Sequence, residues 1–149
     1  MANDYTNMLL DSLTIALYNK FGSNYTYYKE GSEQNTTRPY FVVSPQAPSF
    51  IARSFVKYDE YLPIVVYYFG DDTDPNLKSS QFFIAEGLHE CLEYVELDSG
   101  DGLIRGYDMS WDTSDGVLQF YVTYRLPLYK NIGTNTTMEE LFQTTTTKG

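Results

Sequence analysis

The clearest pattern in the chain is a strict alternation of apolar and polar residues between positions 118 and 128. Every second residue is apolar: Leu118, Phe120, Val122, Tyr124, Leu126 and Leu128. Because successive side chains on a strand point to opposite faces, this spacing predicts a β-strand with one buried face. A preceding stretch alternates too, and we assign its apolar members to the same face: Leu103, Tyr107, Met109 and Trp111. Residues 112–116 form the connecting turn, so the sequence predicts a long antiparallel hairpin over 103–130.

Two other segments have helical periodicity. Residues 4–21 carry an apolar stripe at spacings of three and four, widened by two further residues: Leu10, Leu13, Leu17 and Phe21, with Leu9 and Ile15. Residues 75–95 carry a second stripe: Ile84, Leu88, Leu92 and Val95. Asp74 and Pro75 favour a helix start there, since aspartate caps a helix and proline suits its first position.

Short extended segments lie between the two predicted helices. We expect strands at 25–29, at 40–43 returning antiparallel, and at 50–58. The segment 62–69 is apolar on both sides, which predicts a central strand, and Pro63 indicates a bulge at its start. Pro45 and Pro48 lack the amide donor that a sheet needs, so residues 44–58 are predicted to be an edge or a projecting loop.

The order of these elements predicts an α+β fold. It consists of an antiparallel or mixed β-sheet with a long C-terminal hairpin and two main helices packed on one face. We expect a single domain over residues 1–130. The remaining residues, 131–149, are rich in Thr and Asn and are expected to form a loosely ordered tail.

Charge and composition narrow the function. The net charge of −10 argues against an ordinary nucleic-acid binder, which needs a basic surface. The single cysteine, Cys91, excludes an internal disulfide and fits a reducing compartment. Neither a signal peptide nor a membrane-spanning run is expected. The fifteen tyrosines have two open interpretations: a hydrated contact surface, or simply strand propensity.

The sequence offers little for catalysis. His89 and Cys91 are two residues apart on a predicted helix and point about 200° away from each other, so they cannot form a nucleophile pair. Cys91 is expected in the core and His89 at the surface. The acidic run 71–76 resembles a calcium loop, but Leu77 and Phe83 stand where that loop needs glycine and glutamate. We therefore interpret it as a helix-capping turn, and predict no enzyme, no metal site and no cofactor.

One acidic stripe stands out on the second predicted helix. Glu86, Glu90 and Glu93 follow each other at spacings of four and three, with no basic residue placed to offset them. Like charges at this spacing are mildly destabilising. Two interpretations remain open: an ordinary solvated face, or an acidic wall that faces a channel or a basic partner.

The predicted hairpin resembles that of a known family. Residues 103–109 (LIRGYDM) and 115–124 (DGVLQFYVTY) are similar to the hairpin of phage tail terminator, or tail completion, proteins of tailed phages and prophages of Gram-positive bacteria. Residues 62–69 (LPIVVYYF) resemble the central strand of this family, and 138–141 (MEEL) resemble a short acidic motif near its C-terminus. The helix, strands, helix and hairpin also come in the family's order, so the similarity covers nearly the whole chain.

This resemblance implies a structural protein of the virion, located in the tail or neck and assembled in the host cytoplasm. Such proteins form a homo-oligomeric ring, typically a hexamer, at the head-proximal end of the tail tube. The ring ends tube polymerisation and presents the surface for head-tail joining. Its implied partners are the tail tube protein, the neck connector proteins and, in some tails, a sheath protein. DNA would pass through the lumen without specific binding, past the acidic stripe.

A ring needs two different contact patches on each subunit. The candidate interface residues lie in the proline-bearing segment, on one strand and in the tail: Pro45, Pro48, Phe50, Arg53, Phe55, Tyr58, Arg105, Met138, Leu141 and Phe142. Arg105 either pairs with an acid across the contact or extends past the sheet edge into solvent.

Three alternative functions stay open at this point. One is another neck or head-completion connector. Another is a small carboxylate-dependent enzyme using turn aspartates such as Asp98 and Asp101. The last is a binding module for a host factor, supported only by the tyrosines.

Overall fold

In the part of the chain that the computed structural model describes, a mixed seven-stranded sheet carries two helices on one face. The structure describes residues 5–31, 37–71, 73–97 and 102–129. Its elements in chain order are α1 (Tyr5–Phe21), β1 (Thr26–Lys29), β2 (Tyr40–Pro45), β3 (Ser49–Ala52), β4 (Lys57–Phe69), α2 (Leu77–Leu92), β5 (Tyr94–Glu96), β6 (Leu103–Ser114) and β7 (Val117–Tyr129). The α+β class predicted from the sequence is confirmed.

The long hairpin formed by β6 and β7 is present, and the alternation along β7 is confirmed. All six of its predicted inward residues are at most 8% exposed. The turn is tight, since only Asp115 and Gly116 lie between the strands, with φ of 52° and 78°. Positive φ at both central residues is what a two-residue hairpin turn of matching twist requires.

The prediction of which β6 side chains face the core is wrong for the first half of the strand. Its register with β7 shifts between Tyr107 and Ser110, where Asp108 adopts a φ of 55°. One extra residue in a strand reverses the alternation beyond it. Met109 and Trp111 therefore pack against the core as expected, but Leu103 is 64% exposed and Gly106 is buried.

The sheet order is β1-β2-β4-β7-β6-β5, with β3 pairing to β4 beside β2. The predicted central position of 62–69 holds, because β4 is paired on both sides. The predicted antiparallel return of 40–43 is wrong: β1 and β2 are parallel, with Tyr27 opposite Phe41. This register brings the two rings into a stack on the helix side of the sheet, at 5.4 Å between centroids.

The bulge predicted at Pro63 is also wrong. The pairing of β4 with β7 is continuous from Lys57 to Tyr68. The irregularity lies opposite, between β2 and β3, whose registers with β4 differ by one residue. The amide of Gln46 there donates to the carbonyl of Pro63. Since the nitrogen and carbonyl of a strand residue point to the same side, the missing donor of Pro63 falls where the ladder is interrupted.

Both helices are shorter or less amphipathic than predicted. On α1, Ile15 is 45% exposed and does not widen the buried stripe. Helix α2 begins at Leu77, so the predicted start at Pro75 is wrong. It ends at Leu92, so Val95 reaches the core from β5 rather than from the helix.

The C-terminal end of α2 is held closely against the sheet. The buried Tyr124 hydroxyl donates to the carbonyl of Leu92 at 2.6 Å, and the amide of Gly106 donates to that of Glu93 at 2.7 Å. Two carbonyls at the end of a helix, which have no partner within it, are thereby satisfied. These two hydrogen bonds involve Tyr124 and Gly106, the pair at which β6 stops pairing with β7.

Candidate interaction surfaces

Residues 48–58, called the arm here, form an apolar hairpin in which β3 pairs with the start of β4. Three of its large apolar side chains are about half exposed: Phe50 (57%), Ile51 (45%) and Phe55 (47%). The Phe50 ring packs edge-on against Tyr58, with ring centroids 5.7 Å apart. Pro48 is exposed, and Pro45 ends β2. A group of exposed apolar side chains on one hairpin is typical of a protein contact surface.

An ionic cluster ties this arm to the sheet. Arg53 Nε donates to Asp59 Oδ2 at 2.6 Å, and its Nη2 donates to the Tyr61 hydroxyl at 2.8 Å. The hydrogen bond to Asp59 raises the pKa of Arg53 above its usual value. The Asp59 residue is only 4% exposed, and Arg125 Nη1 lies 3.9 Å from the same carboxylate oxygen. No periodicity in the sequence indicates that Asp59 is the acidic partner of these two arginines, and the sequence analysis did not predict it.

A second apolar patch lies on the other side of the β4–β7 pair. It is formed by Tyr94 on β5 and Leu103 on β6, which are 54% and 64% exposed. Arg105 lies beside it, with its guanidinium carbon 5.9 Å from the centre of the Tyr94 ring and its Nη2 3.8 Å from Glu93 Oε2. The structure thus gives Arg105 an aromatic and an acidic neighbour within its own chain.

The acidic stripe is partly neutralised, which corrects the expectation that no basic residue offsets it. Lys20 on α1 contacts Glu90 at 2.6 Å, and this hydrogen bond lowers the pKa of Glu90 and raises that of Lys20. Glu93 follows the end of α2 and lies near Arg105. Glu86 is exposed.

The sheet face opposite the helices is rich in tyrosine. Strand alternation and register place six half-buried tyrosines there: Tyr28, Tyr40, Tyr61, Tyr67, Tyr107 and Tyr121. By contrast, Tyr68 and Tyr124 are buried under the helices. The tyrosines therefore serve both the core and an outer surface.

The groups considered for catalysis are not assembled into a site. Cys91 packs against the core, and burial raises its pKa to about 12, whereas His89 is exposed. Asp71 Oδ1 accepts from the amide and hydroxyl of Thr73, which lowers its pKa, and Asp74 accepts from the amide of Asn76. These bonds belong to a local turn, whereas the N-cap residue of α2 is Asn76 and makes no side-chain cap hydrogen bond, so the predicted cap by Asp74 is wrong. Within the described ranges, no group of three or more metal-binding side chains could hold a metal ion.

The remaining sequence candidates fall outside the described residues: Met138, Leu141 and Phe142 of the tail, and the turn aspartates Asp98 and Asp101. Neither described helix is long and apolar enough to cross a membrane.

An α+β domain with apolar patches on both sides of its central strand pair has the features of a protein that acts by contacting other proteins. A more definite assignment comes from the sequence as a whole. The family described as "Phage tail terminator protein" matches residues 8–135, and the chain belongs to this family. No curated protein sequence matches the chain. The tail terminator family predicted from the sequence is thus confirmed, and the protein is a component of the phage tail.

Proposed function

We propose that this protein forms a hexameric ring at the head-proximal end of the tail tube, where it ends tube polymerisation and provides the joining surface for the head. Membership of the tail terminator family is the observation that carries this proposal. In this role the protein is structural and catalyses no reaction. It contacts the tube protein on one side of the ring and the neck connectors on the other.

The two apolar patches support a ring. A closed ring uses a heterologous contact, in which one patch of each subunit meets a different patch of the next. The arm with Phe50 and Phe55 is one such patch, and Tyr94 with Leu103 is the other. They lie on opposite sides of the β4–β7 pair, as a head-to-tail arrangement needs.

Removal of the gene from its phage tests the terminator role directly. Without the protein, tails should grow beyond their normal length and fail to join heads, as seen by negative-stain microscopy. Expression of the protein from a plasmid should restore both properties. Tails of normal length in its absence would contradict the proposal.

The arm is tested in the same complementation assay. A variant carrying Phe50→Ser and Phe55→Ser should fold but fail to restore tail length, because it removes exposed apolar area that contributes to the ring. Phe83→Ser is the matched control, since Phe83 on α2 is 66% exposed and lies away from the arm. If the arm variant complements as well as the control, the arm is not a ring contact.

We assign the acidic stripe to the lumen in the same proposal. Carboxylates there would repel the phosphates of DNA and let the genome pass without binding. Glu86→Lys, which reverses the exposed end of the stripe, should slow genome ejection from intact particles. Glu96→Lys on the exposed face of β5 is the control of equal charge change, and equal ejection rates for both variants would remove the stripe from the lumen.

A further inference from the structure

Glu60 is a buried acid at the base of the arm. It is only 6% exposed and lies on β4 directly opposite Phe50. On its other side it pairs with the core residue Leu126, so its side chain lies on the helix side of the sheet. Among the residues that the structure describes, none donates a hydrogen bond to its carboxylate or forms an ion pair with it. Burial raises the pKa of Glu60, whereas a cation close by would lower it. Because buried polar groups as a rule have a partner, the single subunit leaves Glu60 incomplete.

The basic residues of the arm do not supply this partner, because they lie on the other face of the sheet. Consecutive residues of a strand point to opposite faces, so Asp59 faces the outer side where Glu60 faces the helix side. Arg53 donates to Asp59, and Lys57 Nζ lies 6.0 Å from the centre of the Tyr129 ring, opposite it in register. The positive charge of the arm is therefore on the outer face, and an ionised Glu60 is not balanced on its own face.

Glu60 can be approached from outside the molecule through the arm. In the described part of the sheet, β3 is the outermost strand beside this part of β4, and all four of its residues are exposed. Phe50 is the cross-strand neighbour of Glu60 on the same face, and more than half of it is exposed. A side chain of another molecule that packs against the Phe50 ring therefore comes beside the Glu60 carboxylate.

The second apolar patch carries the complementary charge. Arg105 lies opposite Tyr94 in register and two residues from Leu103 on β6, and its side chain is 64% exposed. Its Nη2 is 3.8 Å from Glu93 Oε2, longer than a charge-assisted hydrogen bond. A guanidinium group has five N–H donors in a planar fork, so Arg105 can bind a carboxylate while it stays over the Tyr94 ring.

We propose that Arg105 of one subunit pairs with Glu60 of the next subunit when the two apolar patches meet. This inference rests on the ring proposed above and names the polar contact within it. Phe50 and Leu103 flank the pair and exclude water, which strengthens a bidentate contact between guanidinium and carboxylate. The pair also gives the contact a direction, because the acid and the base lie on different patches and two copies of the same patch cannot form it.

Exchange of the two charges in the phage complementation assay tests the pair. Glu60→Arg and Arg105→Glu should each lower the yield of infectious particles by about tenfold or more, because each places like charges in the contact. The double variant restores the pair with its charges exchanged and should recover most of the yield. Glu60→Arg with Lys78→Glu is the matched control, since Lys78 is exposed on α2 and belongs to neither patch. A double variant no better than Glu60→Arg, or a control that recovers equally, would overturn the proposal.

Neutral variants provide a second test, because an arginine at the buried position 60 can itself disturb folding. Glu60→Gln keeps the shape of the side chain and removes an unpaired buried charge, so near neutral pH the purified variant should resist urea at least as well as the unsubstituted protein. In the complementation assay, Glu60→Gln and Arg105→Gln should each lower the yield several-fold. Their combination should lower it no further than either alone, because both remove the same contact. Losses that multiply, or no loss in either variant, would contradict the pair.

The phage that lacks the gene separates this inference from the terminator role. Overlong tails in its absence support that role whichever variants complement, so a failed charge exchange then removes only the pairing of Glu60 with Arg105. Tails of normal length would remove the terminator role, and the pair with it.

Discussion

Among the described glycines, Gly106 is the one at which an added Cβ atom would meet its neighbours at the shortest distance. A Cβ atom there would lie 2.6 Å from Val122 Cγ2, 2.8 Å from the carbonyl oxygen of Leu92 and 3.0 Å from the Tyr124 ring. Two of these neighbours belong to β7 and the third is the backbone at the end of α2. Gly106→Ala therefore forces α2 away from the hairpin, or bends β6 away from β7.

The loss of stability in Gly106→Ala is estimated from the groups that must be displaced. Added atoms in a packed core cost typically about 1–3 kcal/mol, and a backbone carbonyl cannot rotate away as a side chain does. The displacement also lengthens the bond from the Tyr124 hydroxyl to the same Leu92 carbonyl. We expect a loss of about 3 kcal/mol, which lowers Tm by roughly 6–12 °C in a domain of this size.

Urea unfolding followed by tryptophan fluorescence of Trp111, with thermal melts, measures this loss. Gly87→Ala is the matched control, because its Cβ would meet the Phe21 ring at 2.8 Å, a side chain at the packing surface. Alanine also gains about 1 kcal/mol over glycine in a helix. The control should thus lose much less stability than Gly106→Ala. If both variants lose the same, or Gly106→Ala loses under about 1 kcal/mol, the close packing at β6 is not as described.

Three further predictions concern buried polar groups. Tyr124→Phe should lower the free energy of unfolding by about 1–3 kcal/mol in urea, because it leaves the Leu92 carbonyl without its buried donor. Burial raises the pKa of Glu60, so the folded state holds this proton more tightly than the unfolded chain and stability falls as pH rises through the folded pKa. Glu60→Gln should remove this fall when unfolding midpoints are compared across about pH 4–8; an unchanged pH profile would refute it. Cys91, with its pKa raised to about 12, should react slowly with a thiol reagent near neutral pH and quickly in urea, and fast reaction of the folded protein would contradict its burial.

The parts of the fold that the sequence predicts well are those with a strong local period. The alternation along β7 and the stripes of α1 and α2 follow from which side chains avoid water, and the described core contains them. The Asp74 turn and the Asp115–Gly116 turn were likewise readable, since these residue types favour specific backbone conformations.

The errors have a common cause, which is that strand pairing depends on distant residues. Nothing local to 25–43 distinguishes a parallel from an antiparallel neighbour, and the sequence does not mark the parallel register in which the Tyr27 and Phe41 rings stack. The bulge at Asp108 is equally hidden, since aspartate at positive φ has no unique sequence mark.

Features of the candidate surfaces that depend on local sequence were predicted, and those that depend on distant residues were not. An edge or projecting loop was predicted over 44–58 because proline limits pairing, and the exposure of Phe50 and Phe55 in this segment agrees with that prediction. The pairing of Lys20 with Glu90 spans 70 positions in the chain and could not be inferred from the helix alone. The Arg53–Asp59 contact needed knowledge of how the arm folds back onto β4.

The phase change within β6 gives this one strand two independent roles. Residues after Asp108 direct Met109 and Trp111 inward and are constrained by packing, whereas the residues before it turn Leu103 and Arg105 towards the surface. Substitutions at the outward-facing Leu103 and Arg105 can therefore alter what the molecule touches at little cost to folding. Deletion of Asp108 would remove the additional residue and place Met109 directly after Tyr107, so β6 would alternate regularly along its length with the same residues facing outward.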